Sequence, residues 1–244
     1  AWADELAGTP GLRRLAPAFF ASPARPDWVL WARQDYDDHF PGIDEANILP
    51  ALLAGYDATD VVAPFLLLRA RQDWRPIKYQ PLASLPLVPH AWIDLPAEAG
   101  PLWAEVRLAR TLFGALRGLA WRRHRIYLQV EDEHAHRQLF NLPLPFAESG
   151  FLLSPVPNGM AELLALADWA EGRPLASPPV RRLRLLTDQT GAGHAYDWPA
   201  TLVLSRLSIQ GAAETVASPR RLTASLLRAL LASYQVGSTP FPPS

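Results

Sequence analysis

Proline sets the limits on what this chain can fold into: 25 of its 244 residues are proline. Proline has no backbone N–H to donate and holds φ at about −65°, so it is excluded from helix interiors and from the middle of a sheet. A chain punctuated this often is expected to form short strands joined by ordered loops. Hydrophobic residues make up 49% of it, enough to close such strands over a core, and the 19% that are charged are too few for a disordered chain.

From Val61 onward the apolar residues recur with period two or in short runs, which is the pattern of strands. VVAPFLLLRA, over 61–70, reads as one continuous apolar strand. PIKYQPL, over 76–82, is bounded by prolines and fits only a sheet edge. In LWAEVRLAR, Leu102, Ala104, Val106 and Leu108 share one face, and Glu105 and Arg107 the other. RIYLQVED groups Ile126, Leu128 and Val130, and RQLFNLPL follows a polar tip. Residues 125–143 therefore read as an antiparallel hairpin, with the 102–110 strand expected beside it. GFLLSPV, VRRLRLLTD and ATLVLSRLSIQ complete the set, the last two separated by the glycine-rich TGAGHAYDW.

Helical spacing occurs in three places. DEANILPALLAGYDATD has Asp44 as a candidate N-cap and Gly55 as a candidate stop, with Pro50 either kinking the helix or starting a second one. Residues 158–171, with Asn158 as a candidate cap, place Met160, Leu163, Leu164 and Ala167 on one face. Residues 218–235 open on Ser218 and Pro219, a favoured N-cap and first-turn pair, and carry a leucine stripe. A parallel α/β sheet needs a crossover helix after nearly every strand, and these are lacking. The expected fold is mainly β with helices (α+β), an antiparallel two-sheet sandwich with two or three flanking helices. Two regions are expected: an N-terminal loop-and-helix segment over 1–60, and a sandwich-like domain over 61–244 ending in the 218–235 helix.

RTLFG at 110–114 and GFLLSP at 150–155 mark a stretch that resembles the extracytoplasmic region of some bacterial polytopic membrane proteins. There, a strand ending in Arg-x-Thr leads to a glycine-containing loop, a hairpin and a GFLLSP strand. The likeness spans 62–210. It implies a β-rich domain tethered at the periplasmic or extracellular face of a bacterial membrane, and it implies no chemistry. The chain has no cysteine, which fits that location and excludes disulfides, thiolate metal sites and cysteine nucleophiles. Its start at Ala1 rather than Met is expected of a fragment or a processed product.

The net charge of −1 gives no reason to expect a nucleic-acid partner. The acidic loop QDYDDHFPGIDE offers Asp35, Asp37 and Asp38 as oxygen ligands for Ca²⁺. Its spacing is not that of an EF-hand, and charge runs ordinarily face water. No other cofactor is indicated. Residues 106–130 hold six arginines and no acid. Within them Arg117, Trp121, Arg122 and Arg123 fit a basic amphipathic segment lying on an anionic bilayer; the plainer alternative is a connection with solvated arginines. His134 and His136 read as a polar hairpin tip, because no third zinc ligand is marked out. There is no G-x-S-x-G elbow and no phosphate loop, and no spacing selects a catalytic pair among Asp94, Glu105, Asp188 and Asp197. Aromatic side chains remain. Trp103, Tyr127 and Trp198 are candidate platforms for a sugar ring, whose apolar face stacks on a π face. Trp103 and Tyr127 fall opposite the aliphatic faces of their strands.

The expectation is therefore a non-catalytic extracytoplasmic domain with a binding or structural role. Its ligand would be a glycan or another envelope component, and its neighbour a membrane surface or an adjoining transmembrane region. The alternative is a carbohydrate-active or metal-dependent hydrolase, in which acids and histidines converge in a pocket.

Overall fold

A computed structural model describes residues 10–32, 38–62, 64–97, 100–112, 125–187 and 195–209. The described elements, in chain order, are α1 (Pro10–Ala21), β1 (Trp28–Trp31), α2 (Leu49–Gly55), β2 (Tyr56–Val62), β3 (Phe65–Ala70), β4 (Ile77–Leu87), β5 (Ile93–Asp94), β6 (Leu102–Arg107), β7 (Ile126–Asp132), β8 (Arg137–Asn141), α3 (Leu144–Ala147), β9 (Phe151–Ser154), α4 (Met160–Ala170), β10 (Val180–Thr187) and β11 (Ala200–Ile209). All pairs of these strands run antiparallel. The fold is β-rich α+β, as the short alternating runs require.

The pairing of β4 to β11 is nested. β4 pairs with β11, β5 with β10, β6 with β9 and β7 with β8. The arrangement is one long hairpin rolled up, so that successive pairs fall alternately into two four-stranded sheets, β4-β11-β6-β9 and β5-β10-β7-β8. This is the strand order of a jelly roll. The inward residues of both sheets, among them Leu102, Ala104 and Val106, Ile126, Leu128 and Val130, Leu183 and Leu185, and Leu202 and Leu204, are buried in one continuous core. Ser154, itself buried, ties one sheet to the other by accepting the Val180 N–H at 3.1 Å. The GFLLSP segment is thus structural: Phe151, Leu152 and Leu153 are core, and Ser154 bridges the sheets.

Several local expectations are corrected. The 125–143 hairpin forms as β7 and β8, but the 102–110 strand does not lie beside it. β6 stands in the opposite sheet, against β11 and β9. Alternation puts the aliphatic face inward in either arrangement, so it cannot distinguish a neighbour from a strand across the core. VVAPFLLLRA is two strands, β2 and β3, closing as a hairpin at Val62 and Phe65. They join β1 in a third sheet, β1-β3-β2, and β2 runs across residue 60. Pro50 starts α2 rather than kinking it, and Tyr56 leaves the helix in extended conformation directly after Gly55. Asp44 does not cap it; its carboxylate meets His39 Nδ1 at 3.1 Å. Asn158 does not cap α4 either, because its Nδ2 donates to Gln138 Oε1 at 2.6 Å and the cap position is Gly159. The 218–235 helix lies outside the described residues.

β4 is an edge strand, as its prolines demand, but it is longer than expected and contains both Pro81 and Pro86. Pro81 stands opposite Ser205 and Pro86 opposite Thr201, and the register shifts between them at Leu82. Without that bulge the two prolines, five apart, would fall in opposite phases, and one would face β11 where an N–H is needed. With it they are four apart along β11, so both occupy the same pairing phase.

Arg71, just after β3, ties that end of the third sheet to β2 and to the segment before β1. Its side chain is 2% exposed and forms an ion pair with Asp57 at 2.7 Å. Its Nε donates to the Tyr56 carbonyl at 3.1 Å, and its own carbonyl accepts from Arg25 at 2.5 Å.

Candidate functional site

On the outward side of the β4-β11-β6-β9 sheet, a cleft of about 630 Å³ opens between the strands and the first two helices. Its sheet side carries Tyr79, Trp103, Glu105 and Ser205, and its helix side Pro17, Ala51 and Ala54, with Trp74 also on the lining. Trp103 points away from the core, as its place between Leu102 and Ala104 dictates. It is nonetheless only 6% exposed. The Tyr79 ring meets it edge-to-face at 5.5 Å. Gly150 also lies against it: a Cβ there would overlap the indole nitrogen of Trp103, and φ at Gly150 is +89°.

A second glycine positions Trp74. A Cβ on Gly55 would stand 2.6 Å from Trp74 Cζ3, so the ring lies directly on the helix end. The Arg25 guanidinium lies 5.6 Å from the centre of the same ring and 5.8 Å from that of Tyr56. Trp74 and Tyr79 remain exposed, and both line the cleft together with the buried Trp103. Asn47, Ser149, Ser205 and Glu105 supply polar atoms to the lining, and Glu105 forms an ion pair with Arg107 at 2.7 Å. Exposed rings held by backbone contact lose little freedom on binding, and the polar groups can meet hydroxyls. No family model, no curated protein and no solved structure matches this chain.

The three aromatic candidates of the sequence are not brought together. Trp103 lies in the cleft. Tyr127 lies on the other sheet, on the outward face of β7, opposite Asn141 of β8 and Leu186 of β10. Trp198 packs edge-to-face on Tyr196 at 6.5 Å, and its buried indole nitrogen has no hydrogen-bond partner among the described residues. Asp38 is exposed at the margin of the second sheet, where its carbonyl accepts the Asn141 N–H at 2.7 Å. Its companions Asp35 and Asp37 lie outside the described residues, as do Arg117, Trp121, Arg122 and Arg123 of the basic segment. Leu112, at the start of that segment, is 86% exposed. His134 and His136 sit at the hairpin tip with their rings 5.9 Å apart. Asp132 organises that tip by accepting both of their backbone N–H groups, at 2.8 and 2.9 Å. Among the described residues no group of three His, Asp or Glu side chains is placed to hold a metal.

Around Tyr127 the outward face of the second sheet carries an ion-pair row. Register places Asp94, Arg182, Glu131 and Arg137 side by side across its four strands. Glu131 accepts from Arg182 at 2.7 and 3.0 Å and from Arg137 at 2.6 Å. Those bonds, Arg182 first and Arg137 next, hold its carboxyl below the usual carboxylate range. A depressed folded-state pKa stabilises the fold above the unfolded value and is lost as pH falls through the folded one. The stability difference between the natural chain and Glu131→Gln should therefore be positive at neutral pH and shrink only below about pH 4. Urea titrations at pH 7, 5 and 3 measure it; a difference independent of pH would contradict the pairing.

Trp74 and Tyr79 were not distinguishable in sequence from the other aromatics. What singles them out is the backbone at Gly55 and the ring of Trp103, neither of which is near them in the pattern of alternation.

Proposed function

We propose that this chain is a non-catalytic glycan-binding domain at the extracytoplasmic face of a bacterial membrane, with its sugar site in the cleft of Trp74, Tyr79 and Trp103. The observation that carries the reading is the cleft itself: two exposed aromatic rings, anchored from behind by a glycine and a third ring, beside polar side chains. Its volume suits a short saccharide, since small-ligand sites run from about 300 to 1,000 Å³. Binding is favoured over hydrolysis because Glu105 is the one carboxylate among the described lining residues, and it is tied to Arg107. Glycoside hydrolysis calls for two carboxyls across the bond to be broken. The extracytoplasmic location is supported by the lack of cysteine and by the resemblance carried by RTLFG and GFLLSP. Among the described residues no helix is long and apolar enough to cross a membrane.

Calorimetry against neutral bacterial and plant oligosaccharides tests the site. At least one is expected to bind, and Trp74→Ala or Tyr79→Ala should weaken it by roughly 10- to 100-fold, the loss of one stacked ring. Binding by the natural chain that survives both substitutions would place the sugar elsewhere.

A further inference from the structure

On the opposite side of the molecule from that cleft's sheet, the outward face of β5-β10-β7-β8 gathers three guanidinium groups around one indole. Trp92 has Arg184 at 4.6 Å from its ring centre, Arg182 at 4.9 Å and Arg137 at 5.5 Å. The three cations are not equivalent. Arg182 and Arg137 are both spent on Glu131, at 2.7 and 2.6 Å. Arg184 has no carboxylate partner among the described residues: its Nε donates to the neutral Gln129 Oε1 at 2.7 Å. That bond fixes the plane of the guanidinium and leaves its two terminal nitrogens unengaged among the described residues. Arg184 is half-buried, on a central strand of the sheet and beside the indole. Of the carboxylates on this face, Glu131 is already paired with two cations, and Asp94 stands opposite Arg182 rather than Arg184.

We infer that Arg184, braced by Gln129 and Trp92, is the seat of an oxyanion: a carboxylate or phosphate group carried by a small ligand. The chemistry is specific to arginine. A fixed planar guanidinium with two free nitrogens presents parallel donors matched to the two oxygens of a carboxylate or phosphate. Bracing by Gln129 removes the rotamer freedom that an exposed arginine would lose on binding. Partial burial beside an aromatic ring lowers the local dielectric and strengthens the pair. This seat is independent of the aromatic cleft and of what the cleft binds.

The test uses the full chain and three defined probes of similar size: glucuronate for a carboxylate, glucose 6-phosphate for a phosphate, and glucose as the neutral control. Binding is followed by the indole N–H signal of Trp92 in a nitrogen-15 NMR titration, assigned through Trp92→Phe. One or both anions should shift that signal saturably while glucose leaves it unmoved, and whichever anion shifts it identifies the group. Arg184→Gln should weaken the affinity by on the order of 10- to 100-fold, the loss of a charge-assisted hydrogen-bond pair. Arg184→Lys, which keeps the charge but not the fork, should fall between the two. Equal response to glucose and the anions, no response to either anion, or an unaltered affinity in a folded Arg184→Gln chain overturns the inference. The natural-chain titration decides the matter even if both variants fail to fold.

Discussion

Gly150→Ala should lower the melting temperature of this protein by on the order of 10 °C, a loss comparable to truncating a core leucine. Two costs add. Gly150 has φ of +89°, and left-handed backbone costs a residue with a Cβ about 1–2 kcal/mol. The new methyl would also overlap the indole of Trp103. That ring cannot simply swing aside, because Tyr79 lies against it. Forcing a packed ring to move costs a further 1–3 kcal/mol or so. At about 2–4 °C per kcal/mol for a domain of this size, the sum gives the expected shift. Thermal melts followed by circular dichroism measure it. In Gly150→Ala/Trp103→Leu the overlap is relieved and only the backbone cost remains, so the double variant should lose less, relative to Trp103→Leu, than the single variant loses relative to the natural chain. Equal losses would mean that the indole does not constrain position 150.

The second large effect is expected at Asp57, and it exceeds that of removing the arginine it pairs with. Arg71 is 2% exposed and Asp57 is 43% exposed. Removing Arg71 leaves a carboxylate that water can reach. Removing Asp57 leaves a charged guanidinium in the interior, and breaking a buried pair that way costs about 3–5 kcal/mol. Burial already lowers the pKa of Arg71, with Asp57 opposing that shift. Asp57→Ala should therefore destabilise more than Arg71→Met, which keeps much of the stem volume and removes the charge. The double variant should recover stability relative to Asp57→Ala alone, because the orphaned charge is gone. Urea denaturation of the three variants gives the ordering; if Arg71→Met proves the worst, packing of the arginine stem outweighs its charge.

The parts of the fold legible in the sequence were the local ones. β7 and β8 follow one another through a short polar tip, so alternation on both sides fixes the hairpin. Every other pair in the nest joins strands far apart in sequence: β4 meets β11 across more than a hundred residues. Nothing in a period-two pattern encodes which distant strand supplies the partner, and that is why β6 was expected beside the hairpin. The third sheet was hidden for another reason, since β2 begins where a helical pattern ends and its apolar run merges with that of β3. Of the candidate sites, the outward direction of Trp103 and Tyr127 was readable from alternation. The cover over Trp103 was not, because it depends on Tyr79 arriving from β4 and on Gly150 from the turn before β9. Arg182 and Arg184 are likewise two apart and visibly outward in VRRLRLLTD, but their partners Glu131 and Gln129 become apparent only with the register.

The paired phase of Pro81 and Pro86 has a consequence beyond the molecule. An outermost strand normally offers a row of free N–H and C=O groups on which a second chain can add. On β4 the outward-facing positions at 81 and 86 have no N–H to offer, and the bulge at Leu82 breaks the straight run between them. Lys78, the only lysine of the chain, lies exposed on the same strand, so a second copy approaching in antiparallel register would meet both a gap in its ladder and a like charge. The residues that fit β4 to its own sheet are thus the ones that make it a poor template for fibrous or edge-to-edge assembly.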